Sequence, residues 1–197
     1  EDGIYILLKE VIDNAVDEYI MGFGKVVDIT VEESGFARVR DYGRGIPLGK
    51  LIECVSHINT GAKYNDDVFQ FSVGLNGVGT KAVNGLASLF RVVSYRDGQF
   101  MEATFERGEL KKKKKGEAKC EPTGTLVEFL PDAEVFNEYG FNAEFIEDRL
   151  FKYACLNSGL KLNFNGKRFE SKCGLLDFLN KQVGEDPWPQ LADQFPP

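Results

Sequence analysis

The sequence predicts an α+β fold, a two-layer sandwich in which helices cover one face of a mixed, largely antiparallel sheet. Residues 2–21 repeat apolar side chains at three- and four-residue steps, the pattern of a helix packed by one side onto a sheet. Alternating, β-branched segments follow in pairs separated by turn residues, as in β-hairpins. Two later amphipathic segments, residues 143–157 and 174–182, are predicted to be helices.

Length and composition favour one domain. With 197 residues, 43% of them hydrophobic, the chain can bury a large core, and we expect residues 1–197 to form a single domain.

Charge and cysteine content exclude several classes of function. The net charge of −7 argues against a protein whose whole surface binds nucleic acid. The four cysteines, Cys54, Cys120, Cys155 and Cys173, contain no C-x-x-C pair, which disfavours zinc and a disulfide framework. Reduced thiols and the absence of a long apolar run favour a cytoplasmic protein without membrane contact.

The remaining elements follow from alternation and turn residues. Strands are predicted at residues 26–31, 36–41, 90–95, 99–106 and 125–129, a short helix at 48–57, and a small hairpin at 160–164 and 167–170. The five consecutive lysines at residues 111–115 are predicted to form a charged loop between strands. A solvated loop is favoured over a nucleic-acid site here, because no aromatic residues interleave with the lysines.

The first helix carries polar residues that a purely structural helix does not need. Glu10 and Asn14 lie one turn apart on a face beside the apolar stripe, with Asp17 and Glu18 near them. A carboxylate can take a proton from water, and a carboxamide oxygen can bind a hard cation such as Mg²⁺. The alternative is an ordinary solvated face, and this segment alone does not decide between the two.

A second polar segment, D-Y-G-R-G-I-P, interrupts the strand that ends at Asp41. Its glycines, Gly43 and Gly45, either make a simple turn or let a flat ligand approach the backbone. In the second case the Asp41 carboxylate can accept a hydrogen bond from an amino group. The loop N-T-G-A-K further along contains Lys63, which can reach a phosphate, although a single lysine in a loop is more often a solvated charge.

A glycine-rich segment contains Gly74, Gly77 and Gly79 in the pattern G-x-x-G-x-G, and Thr80 is predicted to open an amphipathic helix. The buried side of that helix is expected to carry Ala82, Val83, Leu86 and Leu89. Glycines before a helix start expose backbone N–H donors at the positive end of the helix dipole, so this loop can wrap a triphosphate. The segment is neither a Rossmann nor a Walker motif, because no strand precedes it and no G-K-[ST] ends it.

Four signatures therefore stand in one order: E-V-I-D-N-A-V-D-E, D-Y-G-R-G-I-P, G-L-N-G-V-G and, at a later strand, T-G-T. Together they resemble the GHKL family of ATP-binding domains, which includes type II topoisomerases, an ATP-driven chaperone class, mismatch-repair MutL proteins and sensor histidine kinases. The resemblance covers nearly the whole chain. The segments L-N-G-V-G-T-K-A-V-N and N-T-G-A-K look most like those of the ATPase subunits of bacterial topoisomerase IV, and next most like those of gyrase.

The resemblance implies a GHKL fold that binds ATP and Mg²⁺. It implies that Glu10 is the general base, that Asn14 holds Mg²⁺, and that Asp41 binds the adenine amino group, with Thr125 helping through a water molecule. Arg44, paired with Glu18, would cover the adenine edge. The remaining nucleotide contacts that it implies are Gly45, Ile46, Pro47, Lys63, Gly74, Leu75, Asn76, Gly77, Val78, Gly79, Thr80 and Arg96.

By resemblance, the function is ATP binding and hydrolysis that drives DNA strand passage by a type II topoisomerase. The implied partners are ATP, DNA through other parts of the enzyme, a second copy of the chain, and the DNA-cleaving subunit of the topoisomerase IV or gyrase type. The sequence is expected to be a fragment without the family's N-terminal arm and following transducer domain, and so to bind ATP but hydrolyse it poorly. A histidine-kinase-like phosphotransferase and a non-hydrolytic nucleotide sensor are the alternatives.

Overall fold

The computed structural model describes residues 2–57 and 78–183. The helices are α1 (Asp2–Ile20), α2 (Leu51–Ser56), α3 (Gly79–Gly85), α4 (Ala133–Phe136), α5 (Ala143–Leu156) and α6 (Leu175–Val183), with a 3₁₀ turn at Leu48–Lys50. The strands are β1 (Val26–Val31), β2 (Ala37–Asp41), β3 (Ala87–Arg96), β4 (Gln99–Glu106), β5 (Glu109–Glu117), β6 (Gly124–Pro131), β7 (Lys161–Phe164) and β8 (Lys167–Phe169).

All eight of these strands form one sheet in the order β5-β4-β3-β6-β2-β1-β7-β8. Strand β1 runs parallel to β7, and the other described pairings are antiparallel. The predicted mixed, largely antiparallel sheet is therefore confirmed. The central strands β3, β6 and β2 are adjacent in the sheet although they come from distant parts of the sequence. Because β2 and β6 are antiparallel, the C-terminal end of β2 lies beside the N-terminal end of β6.

Helix α1 lies on one face of this sheet and supplies much of the core. Leu8, Val11, Ile12 and Ala15 are each at most 4% exposed and pack with strand residues such as Phe129. Their three- and four-residue spacing places them on one side of the helix, as the sequence predicts. This packing fixes which side of α1 remains free of the core, and Glu10 and Asn14 lie on that side.

The lysine run is not a loop, and that prediction is wrong. Residues 111–115 lie within the edge strand β5, which pairs with β4 along its length. An edge strand needs no buried side, so hydrogen bonds to β4 can hold it while every lysine remains exposed.

The glycine-rich segment leads into a shorter helix than predicted. Helix α3 ends at Gly85, Leu86 is exposed, and Leu89 belongs to strand β3. The chain after Gly85 is rich in β-branched and aromatic residues and pairs with both β4 and β6, which favours the extended conformation. Within residues 2–57 and 78–183, none of the helices has the length and apolar character needed to cross a bilayer.

Candidate functional site

Glu10 and Asn14 of α1 meet the start of α3. The Asn14 side-chain amide donates to Thr80 Oγ1 at 2.7 Å and to the Glu10 carbonyl oxygen at 2.8 Å. The Glu10 carboxylate lies so close to Gly79 that a methyl group at that position would overlap with it. The opening helix and the last described part of the glycine-rich segment are therefore neighbours in space, although about seventy residues separate Glu10 from Thr80.

Asp41 lies at the end of β2 and is buried, with 8% of its surface exposed. Its Oδ1 accepts hydrogen bonds from the backbone N–H groups of Gly43 (2.8 Å) and Thr125 (3.2 Å). Burial raises the pKa of this carboxyl to about 6, against the lowering effect of the two N–H donors and of nearby Arg40. Because both described bonds use Oδ1, Oδ2 can accept a hydrogen bond from a ligand.

The neighbouring strand β6 approaches Asp41 at Gly124. This glycine has a φ of +139°, and a methyl group there would overlap with the Asp41 carbonyl oxygen and with the Arg40 guanidinium. Only glycine therefore lets β6 come close enough for Thr125 to bond to Asp41. The glycine of the T-G-T signature therefore has a steric role, which the hydroxyl groups of its two threonines do not indicate.

Arg40, which the sequence does not single out, lies at the same end of β2 as Asp41 but on the open face of the sheet, that is, the face opposite α1. Its guanidinium lies 4.8 Å from the ring centroids of both Tyr42 and Tyr95. It donates to the carbonyl oxygens of Asp41 and of Pro122, the latter at 2.5 Å. Alternation in β2 indicates that Arg40 and Asp41 face opposite sides, but it does not indicate that the arginine is buried between two rings.

Glu18 and Arg44 form the pair that the resemblance implies. The Arg44 backbone N–H and Nη2 donate to the Glu18 carboxylate at 2.8 Å and 2.7 Å, and the guanidinium lies 4.5 Å from the Phe23 ring centroid. Glu18 also packs against Gly43, where a Cβ atom would lie 2.5 Å from its Oε2. Glu18 therefore fixes the loop after Asp41 to the C-terminal half of α1.

The rest of that loop rests on the ends of β3 and β6. Ser94, another residue that the sequence reasoning missed, is fully buried and donates to the Ile46 carbonyl oxygen at 2.6 Å. Gly45 has a φ of +70°, and a Cβ atom there would lie 2.7 Å from the Tyr95 carbonyl oxygen. Pro47 precedes the 3₁₀ turn, and Arg96 lies next to Tyr95, with its Nε 3.5 Å from Asp97.

The structure thus brings together the described members of the predicted site at two places, one at Glu10, Asn14, Gly79 and Thr80, and one around Asp41. Helix α1 links the two places, since it carries Glu10 and Asn14 near its middle and Glu18 one turn later. Val78 is exposed at the start of α3. Five predicted nucleotide contacts lie outside the described residues: Lys63, Gly74, Leu75, Asn76 and Gly77.

A surface cavity of about 660 Å³ on the open face of the sheet does not share these residues. Asp28, Asn163 and Arg168 line it and bond to one another: Asn163 donates to Asp28 at 2.7 Å, and Arg168 donates to Asn163 at 3.0 Å. Because its polar groups already have partners, the cavity is a weaker candidate than the crevice beside α1.

Comparison with known families decides the class of the protein. Residues 1–134 match the family described as "Histidine kinase-, DNA gyrase B-, and HSP90-like ATPase". The chain belongs to this family. Membership in this ATPase family implies that the chain binds ATP, and the GHKL resemblance is confirmed.

Relatives of this ATPase domain are type II topoisomerase subunits. The chain is 57% identical to the B-type subunit of DNA topoisomerase 4 from Borreliella burgdorferi, over 94% of this chain and 31% of that relative. It is 34% identical to the B-type subunit of DNA gyrase from Thermotoga maritima, over 90% of this chain and 30% of that relative. The chain thus spans about a third of the length of the curated relatives that it matches.

A solved structure confirms the fold. The 43K ATPase domain of Thermus thermophilus gyrase B, in complex with an aminocoumarin, matches 91% of this chain and 49% of that chain. The TM-score is 0.75 and the sequence identity is 32%. The eight-stranded sheet with helices on one face is therefore the GHKL ATPase fold.

Proposed function

We propose that the crevice formed by α1, the loop after Asp41 and the start of α3 binds Mg²⁺-ATP and hydrolyses it. In the full-length protein this domain would drive DNA strand passage by a type II topoisomerase, as the ATPase subunit of a topoisomerase IV, with the ATPase subunit of a gyrase as the alternative. The observation that carries the proposal is the buried Asp41 carboxylate, which has an oxygen available at the end of β2, on the same side of the sheet as Glu10 and Asn14.

Asp41 is the group proposed to recognise adenine. Its Oδ2 would accept a hydrogen bond from the adenine amino group, while Gly43 and Thr125 hold Oδ1. The Thr125 hydroxyl would add a water-mediated contact. Gly45, Ile46 and Pro47 would line the base pocket, with Arg44 and Arg96 at its edge.

Asn14 is the proposed magnesium ligand. Its amide nitrogen is already used in two hydrogen bonds, to Glu10 and to Thr80, so its amide oxygen is the atom that a cation would meet. Mg²⁺ prefers oxygen ligands and usually binds through one or two protein groups together with substrate phosphates. The bound ion would neutralise charge on the phosphates, which Lys63 and residues 72–80 are proposed to contact.

Glu10 is the proposed general base. It lies one helical turn before Asn14, against Gly79, and so faces the position where the phosphates would lie if Asn14 holds their magnesium ion. A general base contributes typically about 10²- to 10⁴-fold to the rate of a reaction. Hydrolysis, rather than mere sensing of nucleotide, is supported by this carboxylate, which a binding module does not need.

The wider assembly is also a proposal. As the family resemblance implies, the full-length protein would act on DNA together with a second copy of itself and a DNA-cleaving subunit. Sheet continuity from β1 to β7 supports one domain over residues 1–197. Because the solved relative holds an aminocoumarin, the same class of compound is expected to bind this domain.

Calorimetric titration of Mg²⁺-ATP into the wild-type chain, Asp41→Asn and a control, Asp28→Asn, tests this proposal. Asp28 accepts hydrogen bonds from Tyr42 and Asn163 on the other face of the sheet and has no proposed nucleotide contact. The expected result is saturable binding to the wild type and to the control, and binding about 100-fold weaker or lost for Asp41→Asn, because a donor replaces the acceptor. Equal binding by all three proteins would overturn the site assignment.

A further inference from the structure

The edge strand β5 presents five consecutive lysines, residues 111–115, and all nine residues of this strand are exposed. A strand holds alternate side chains about 6.8 Å apart on each side, so Lys112 and Lys114 lie on one face of the strand and Lys113 and Lys115 on the other, whereas Lys111 lies at a shift in the register. Pairing with β4 aligns Lys112 with Thr104 and Lys114 with Glu102 on one face, and Lys113 with Ala103 on the other.

Little in the described part of the chain neutralises these lysines. Lys111 pairs with Glu109 at 2.7 Å, whereas no ion pair is found for the lysines at positions 112, 113 and 115. Glu102, the carboxylate opposite Lys114, attracts Lys112 and Lys114 but is already bonded to Arg91 at 2.8 Å. The Lys114 ammonium also lies 5.7 Å from the Phe100 ring centroid, a contact that leaves its charge in place. Four positive charges therefore point to solvent from a protein whose formal net charge is −7, or −12 without the five lysines.

Lysine on an edge strand protects against pairing with other chains, but that protection does not need four adjacent exposed charges. An acidic peptide that added a strand to β5 would need pockets for its side chains, whereas the nine residues of β5 are all exposed and line neither of the two cavities found beside α1 and beside β1 and β7. A phosphate backbone, in contrast, needs only a row of flexible cations, since long-range charge supplies most of its binding energy.

We propose that the lysines of β5 bind the phosphate backbone of duplex DNA, independently of its sequence. Four strand spacings separate β5 from β2, about 19 Å, so this surface is distinct from the proposed ATP site at Asp41. The choice of DNA over RNA rests on the proposed topoisomerase function, whereas the surface itself does not. The contact holds a duplex against the sheet edge and does not itself perform chemistry.

Fluorescence anisotropy with a 24-base-pair duplex at several salt concentrations tests the proposal. The test variant replaces the four lysines at positions 112–115 with glutamine. The matched control replaces Lys25, Lys152, Lys167 and Lys172 with glutamine and has the same net charge as the test variant. These lysines lie outside β5, before β1, in α5, in β8 and after β8, and the control also removes the exposed ion pairs Lys152–Asp148 and Lys167–Glu147. Titration of Mg²⁺-ATP into the same samples, with circular dichroism, shows whether each variant is folded and whether the nucleotide site is intact.

Four phosphate contacts predict that the logarithm of the wild-type association constant falls with the logarithm of salt concentration with a slope of about −3.6. The wild-type affinity should thus fall about 50-fold between about 50 and 150 mM salt, and the control should behave similarly. The test variant should bind ATP normally, and its association constant for DNA should depend only weakly on salt concentration. An unchanged slope in the test variant, an equal loss in the control, or equal competition by polyglutamate would overturn the proposal. If the wild type itself does not bind ATP, that result would instead count against the proposed function.

Discussion

Asp41→Asn is expected to stabilise the protein while it removes nucleotide binding. The side-chain oxygen of the introduced asparagine can still accept from Gly43 and Thr125, because both described bonds end on the same carboxylate oxygen, Oδ1. What the substitution removes is a negative charge in a buried position. A substitution that raises stability while it removes ligand binding is expected at a residue that serves ligand recognition at a cost to stability.

The magnitude follows from the pKa of Asp41. Burial raises this pKa from 3.8 to about 6, and each pKa unit corresponds to about 1.4 kcal/mol. The native state holds the proton up to about pH 6, whereas the unfolded chain releases it near 3.8. The free energy of unfolding of the wild type, relative to the variant, therefore falls as the pH rises from about 4 to about 6 and stays level above that. At pH 7.5 the variant should be more stable by about 3 kcal/mol.

Urea denaturation of both proteins at intervals between about pH 4 and pH 8 measures this difference. Asp28→Asn is the control, and it should destabilise at about pH 7.5, since Tyr42 and Asn163 both donate to the Asp28 carboxylate. A constant difference in free energy between the wild type and Asp41→Asn across the whole pH range would refute the reasoning. So would a variant that is less stable than the wild type at neutral pH.

Three further predictions concern α1. Glu10→Gln should bind Mg²⁺-ATP with nearly wild-type affinity but lower the single-turnover hydrolysis rate by about 10²- to 10⁴-fold; an unchanged rate would contradict the role of Glu10. Asn14→Ala should lose the gain in ATP affinity that Mg²⁺ gives the wild type, and calorimetry with and without Mg²⁺ would reject this role if the gain persisted. Tyr153→Phe removes the hydroxyl that donates to Asp13 of α1 and should lower the free energy of unfolding by about 1–2 kcal/mol in urea, whereas an unchanged midpoint would show that the bond contributes nothing.

Much of this fold could be predicted because its signals are local. The apolar spacing of α1 and the alternation of β1, β2 and β4 identified those elements within a residue or two. The lysine run shows where local signals fail. Its composition resembles a loop, but its conformation is set by hydrogen bonds to β4, and charge pattern says nothing about which backbone groups are available nearby.

The candidate site could be predicted only in part, for a related reason. Asp41 was identified by its place between a strand and a glycine-rich turn. Arg40, Ser94 and Gly124 were missed as structural supports, because each acts through a neighbour that is distant in the sequence. No periodicity records that β6 lies beside β2, so the close approach at Gly124 becomes visible only when the sheet is assembled.

The central claim is that Asp41 recognises the amino group of adenine, and a comparison of ATP with inosine triphosphate tests it most directly. Inosine carries a carbonyl oxygen where adenine carries the amino group, so it suits a donor instead of an acceptor. Titration of both nucleotides into the wild type and Asp41→Asn should show that the wild type prefers ATP and that the variant reverses the preference. The same preference in both proteins would contradict the claim.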